Sequence, residues 1–177
     1  DALISDGYDY VIERLRAYYV EGDAGFTVTT EMFDAVLATR PASPLDFDAR
    51  LRALVDFLQL PEALALAAAN KRIANILRKA TEPVGDRVDA DRLVDPAEQI
   101  LGEQVEAIAR QVEPKFAARD YTEALKSLAV LRNAVDAFFD SVMVMADDAA
   151  LRANRLALLK RMQGLFMHAA DLSRLPG

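Results

Sequence analysis

The chain has 177 residues, no cysteine and a formal net charge of −7, with 53% hydrophobic and 28% charged residues. That length fits one domain with a substantial core, and the balance of apolar and charged residues excludes a disordered chain. The missing cysteines exclude disulfides and thiolate zinc sites, and no uncharged apolar run reaches the roughly 20 residues that span a bilayer.

Along residues 4–21, Tyr8, Val11, Ile12, Leu15 and Tyr19 recur at three- and four-residue spacings. This predicts a first helix with one apolar face, ended by Gly22 and Gly25. Tyr18 and Tyr19 straddle that face, so one is expected inside and one outside. Thr29 or Thr30 can cap a second helix over 31–39, with Phe33, Val36 and Leu37 inward. Residues 40–44 (RPASP) read as a loop, because a residue before proline avoids helical geometry. Asp46 or Asp48 is expected to begin a third helix through Leu58, with Leu51, Leu54, Val55 and Leu58 as its buried stripe.

Pro61 suits the first turn of a fourth helix over 61–79. Asp95 and Pro96 open a fifth, running to Val112, which Pro114 is expected to interrupt or restart. Asp120 or Thr122 starts a helix through Leu131. Residues 135–145 read as another helix despite their strand-like Val-Met-Val-Met, with Phe138, Phe139, Met143 and Met145 expected in the core and stacking on nucleobases as their alternative. Asp147 is then expected to cap the last long helix, which ends near Arg174. The fold class expected is all-α, a single helical bundle of about seven or eight helices. No linker or repeat divides the chain, so 1–177 reads as one domain, with N-terminal helices over 1–44 and the bundle over 45–177. A start at Asp1 rather than methionine suggests a piece of a longer chain.

Catalysis finds little support. His168 is the only histidine and has no serine or cysteine arrangement beside it, so a structural role is expected. Asp147 and Asp148 suit helix capping better than cation binding. No glycine-rich loop is present to cradle phosphates. An acidic chain is a poor nucleic-acid binder in bulk, since cations facing phosphates supply most of that affinity. A local basic patch can still act on an acidic body.

The fourth helix offers such a patch. Lys71, Arg72, Asn75, Arg78 and Lys79 fall on an arc of about 120°, opposite Ala69, Ile73, Ile76, Leu77 and Ala80. Two readings stay open: a solvated face with cations near the helix C-terminus, or a face that contacts RNA phosphates and sugars. Arg40, Asp46, Asp48, Arg50 and Arg52, in or just after the proline loop, form a second candidate set. Capping and surface ion pairing are their alternative. Arg152, Asn154, Arg155, Lys160 and Arg161 form a third, with pairing to Asp147, Asp148 or Asp140 as the alternative.

One order of features stands out: VDAFFDSVMVMADD over 135–148, followed by LRANRLALL over 151–159. An apolar run studded with acids, an acidic break and a helix opening on Leu-Arg resemble the C-terminal half of a DALR-type helical anticodon-binding domain. The wording is similar to the C-terminus of bacterial glycyl-tRNA synthetase beta subunits. AVLATRP over 35–41, LDFDAR over 45–50, FAARDY over 116–121 and the basic fourth helix support the resemblance in order.

The resemblance implies a role in glycine–tRNA ligase: anticodon recognition by a non-catalytic part of the beta subunit, in the cytoplasm. The partners implied are glycine tRNA and an alpha subunit in an α2β2 assembly, with no membrane and no DNA. No cofactor is expected on this chain, and ATP and magnesium belong to the alpha subunit. Glycine codons begin GG, so each anticodon ends in two cytosines. An unpaired cytosine presents an amino donor and two acceptors, which calls for an acceptor beside a cationic or amide donor and something flat to stack on. The alternatives are a helical protein-interaction module, or an enzyme whose site the sequence does not reveal.

Overall fold

The computed structural model describes residues 2–22 and 24–176, with side chains from residue 7 onward. Among the described residues there are eight α-helices and no strand. They are α1 (Ala2–Arg16), α2 (Thr30–Leu37), α3 (Pro44–Phe57), α4 (Ala63–Lys79), α5 (Pro96–Ala117), α6 (Tyr121–Leu128), α7 (Arg132–Ser141) and α8 (Ala149–Met167). A π-helical turn, Ala17–Glu21, extends α1, and short 3-10 turns lie at Ala90–Arg92, Ala129–Leu131 and Leu172–Arg174.

Local chemistry explains most boundaries. Thr29 caps α2, its hydroxyl accepting from the Met32 amide at 3.3 Å. The third helix starts earlier than its aspartates suggest: Ser43 accepts from the Asp46 amide at 3.2 Å, and Pro44 occupies the first turn. Asp46 and Asp48 are therefore inside α3 and free to pair. Pro61 lies in the turn before α4, not in its first turn. Pro114 does not interrupt α5. It sits near the helix end on an exposed position, and Arg110, whose carbonyl it cannot reach, is exposed too.

Two helices stop through an arginine in the left-handed region. Arg40 follows α2 with φ of +49°, and Arg119 follows α5 with φ of +59°. At the second, the Asp120 amide reaches back to the Lys115 carbonyl at 2.8 Å, closing a left-handed cap that glycine usually supplies.

The seventh helix ends sooner than expected, at Ser141. From there Val142 and Val144 turn inward, while Met143 is 72% and Met145 52% exposed. The strand-like alternation of this segment was thus the truer signal, and the expectation of core methionines fails because their positions fall on the outward phase. Phe138 is fully buried, whereas Phe139 is only half-buried. Asp148, not Asp147, caps α8, accepting from the Ala150 and Leu151 amides at 2.8 and 2.9 Å.

The core gathers around α8, whose residues 154–159 are all buried. Six consecutive buried residues leave the middle of α8 without a solvent face, so this stretch serves as a central strut. It packs against α4, α5 and α6, while α5 also contacts α6 and α7. After α8 the chain folds back. The Asp171 amide donates to the Ala35 carbonyl at 2.8 Å, and the Leu172–Arg174 turn lies across α2 and α4. At the other end, Tyr19 is buried against Phe47 and Tyr18 stays exposed, as the straddling pair requires. Val11, expected on the inner face of α1, is 38% exposed, whereas Ile12 and Leu15 pack on the core. No helix among the described residues is long and apolar enough to cross a membrane.

Candidate nucleic-acid interface

The three sets of polar candidates have different surroundings. In the proline-loop set, Asp46 is buried and receives both Arg50, at 3.0 Å, and the Tyr121 hydroxyl, at 2.6 Å. Arg50 also donates to Thr39 Oγ1 at 3.2 Å and to the His168 carbonyl at 2.7 Å, and its guanidinium lies over the Tyr121 ring. It joins the end of α2, α3, α6 and the end of α8. Asp48 pairs with Arg52 at 2.7 Å and accepts from the Tyr19 hydroxyl. Burial alone would raise the Asp48 carboxyl, but those hydrogen bonds outweigh it and hold it below the usual carboxylate range. Arg40 remains exposed, with its guanidinium over the Tyr8 ring.

The α8 set is used inside the fold in a similar way. Arg152 donates to the carbonyls of Ala146 and Asp147, at 2.7 and 3.2 Å, and so fastens the turn that enters α8. Asn154 clasps Asp89 by both backbone groups, at 2.8 and 2.9 Å. Arg155 is buried and forks onto Glu98 at 2.7 and 3.2 Å, with a third bond to the Met143 carbonyl at 2.8 Å. Glu98 also accepts the amides of Val94 and Asp95, at 2.6 and 2.8 Å. Burial would raise its carboxyl, yet Arg155 and the two amides hold it below its ordinary value. Lys160 pairs with Asp86, and Arg161 with Glu106 and Glu113. The Leu-Arg-Ala-Asn-Arg phrase therefore acts chiefly as internal fastening. Arg155, directed at Glu98, is poorly placed for a nucleic acid, and its partner is not one of the aspartates the sequence offered.

The α4 set differs. Lys71, Arg72, Asn75, Arg78 and Lys79 are all exposed, and Ile73 behind them is fully buried. Arg78 donates to Asn75 Oδ1 at 2.8 Å. Among the described residues, Lys71, Arg72, Arg78 and Lys79 form no ion pair, whereas Arg50, Arg52, Arg155, Lys160 and Arg161 each face a carboxylate. A shallow depression of about 350 Å³ follows Ala68, Lys71, Arg72, Asn75, Ile76 and Lys79. An unneutralised row of cations on an otherwise acidic surface makes a local positive field able to hold a polyanion.

A larger groove of about 580 Å³ opens between residues 86–93, α5 and α8. Its rim alternates Arg87, Arg110 and Arg161 with Asp86, Glu103 and Glu106, so no single sign of charge dominates it. No cluster of three or more histidine or acidic residues that could hold a metal occurs among the described residues. His168 stacks near Phe116, with ring centroids 5.0 Å apart, and its carbonyl receives Arg50.

Sequence reasoning missed Phe139 beneath Arg72, 4.1 Å from guanidinium carbon to ring centroid, and Glu98 beneath Arg155. Both partners lie far away in the chain. Only Glu98 carried a local signal, since Asp95-Pro-Ala-Glu98 has the spacing of a capping box.

The family described as DALR anticodon binding domain matches residues 66–172, from α4 through the C-terminal turn. The glycine–tRNA ligase beta subunit of Tolumonas auensis is 52% identical over 174 residues, 98% of this chain and 25% of that protein. The subunit of Marinobacter nauticus is 53% identical over 169 residues, covering 95% and 24%. The subunit of Escherichia coli O1:K1 / APEC is 49% identical over 173 residues, covering 98% and 24%. The chain spans about a quarter of the length of these curated relatives.

Proposed function

Because the chain belongs to the DALR anticodon binding domain family, we propose that it holds the anticodon arm of glycine tRNA within a glycine–tRNA ligase beta subunit. The observation that carries this reading is the α4 row of cations without ion pairs. Lys71, Arg72, Arg78 and Lys79 face the phosphates and sugars of the stem and loop. Asn75, whose carbonyl is engaged by Arg78, keeps its amide donors for the acceptor edge of a cytosine. Arg40, exposed at its left-handed turn, is a further contact. Asp46, Asp48, Arg50, Arg152 and Arg155 fasten the fold that presents this surface, and Arg52 stays paired with Asp48.

In this reading residues 1–177 act as one unit that binds RNA and performs no chemistry. Activation of glycine with ATP and magnesium belongs to an alpha subunit, in a cytoplasmic α2β2 assembly. Holding the anticodon arm helps orient the acceptor end of the tRNA toward that partner.

The test compares glycine tRNA with the same tRNA carrying two altered anticodon cytosines, across a salt series, on the intact beta subunit. Lys71→Glu with Lys79→Glu is expected to weaken binding at least tenfold and to lower the salt slope by about one per lost phosphate contact. Deleting this domain is expected to abolish the preference for the two cytosines. Unchanged binding and preference would overturn the RNA reading and make the stripe a protein-facing surface.

A further inference from the structure

Arg72 differs from the other cations of its row. Its guanidinium carbon lies over the face of Phe139, on α7, 4.1 Å from the ring centroid. Phe139 is half-buried and rests edge-on against Phe138, with centroids 5.5 Å apart and planes at 76°. Phe138 is fully buried. The stack is anchored in the core at one end. At the other end Arg72 is exposed and, among the described residues, makes no hydrogen bond or ion pair.

A guanidinium held over a ring has lost much of its freedom yet keeps its charge, its N–H edge and a flat, weakly hydrated outer face. Flat cations and aromatic faces are what unpaired nucleobases stack on. Lysine neighbours cannot do this, because an ammonium has no plane. Lys71 and Lys79 border the same shallow depression, which puts phosphate-binding charges beside the flat cation.

We propose that the Arg72–Phe139 pair is a stacking platform for one unpaired base of the bound RNA loop, beside lysines that grip its phosphates. The platform rests on the reading of α4 as the RNA-facing helix. It gives α4 two separable tasks: charge along the row, and a plane at Arg72.

The experiment uses the full-length beta subunit that carries this chain and a series of glycine tRNAs, each lacking one anticodon-loop base. Arg72→Lys keeps the charge and removes the plane. Phe139→Leu keeps apolar bulk and removes the ring, with a thermal melt to verify folding. One abasic position is expected to weaken wild-type binding about tenfold. Both variants are expected to bind the complete tRNA about tenfold more weakly, to show no further loss at that position, and to retain the wild-type salt slope. Wild-type affinity with a wild-type abasic penalty in Arg72→Lys overturns the platform. If Lys71→Glu with Lys79→Glu still weakens binding in that case, the α4 reading survives alone. If it does not, both readings fall.

Discussion

Arg155 shows how one side chain can belong to a diagnostic motif and still stay out of reach of a ligand. It neutralises Glu98, which is fully buried, so removing it strands a charge where water cannot compensate. Arg155→Met is expected to cost about 3–5 kcal/mol in urea unfolding at pH 7. The pH dependence has a definite sign. Burial pushes the Glu98 carboxyl up, but Arg155 and two backbone amides hold it below its ordinary value in the native chain. A carboxylate lowered by folding stabilises above its unfolded pKa of about 4.3 and loses that contribution as pH falls through its folded value. The stability gap between native chain and Arg155→Met should therefore narrow below about pH 4. An equal gap from pH 7 to pH 3 would show that Arg155 acts through packing instead.

At the scale of elements, the segment between α4 and α5 contains no α-helix, and side chains from α8 hold it in place. Asn154 clasps both backbone groups of Asp89, and Lys160 reaches the Val84 carbonyl at 3.0 Å and Asp86 at 2.6 Å. Leu93 lies in a notch that exists because residue 102 is glycine: a Cβ there would stand 2.6 Å from Leu93 Cδ1. Asn154→Ala leaves two backbone groups without partners and should cost about 1–3 kcal/mol. Hydrogen exchange is expected to accelerate over residues 84–93, with α4 little changed. A uniform acceleration across the helices would mean that Asn154 supports the whole core rather than this segment.

Across the whole molecule, two features combine. Most described cations are spent on carboxylates or carbonyls, and among those that are not, Lys71, Arg72, Arg78 and Lys79 lie together on one helix face as a positive strip on an acidic body. The C-terminal turn then closes the bundle across α2 and α4, burying Leu172 and Leu175 almost completely. Leu172→Ala is expected to cost about 2–5 kcal/mol, read as a lower urea midpoint at unchanged slope. A loss below about 0.5 kcal/mol, typical of a surface site, would show that the turn does not contribute to the core.

Helix class, helix number and the polar arc of α4 could be read from periodicity, because a 3.6-residue repeat fixes which residues share a face whatever surrounds the helix. The order of motifs likewise pointed to the family that later matched residues 66–172. Boundaries were less legible. Ser43 outcompeted Asp46 as a cap, Asp148 outcompeted Asp147, and Met143 and Met145 fell outside because α7 ended at Ser141. Local pairs were legible, since Asp46–Arg50 and Asp48–Arg52 are the ion pairing open to the proline-loop set, but long-range partners were not. Arg72 and Arg155 are the same residue type in similar helical settings. Tertiary packing alone put a carboxylate against one and an aromatic ring beneath the other, because ion pairing depends on which distant residues the fold brings within about 4 Å.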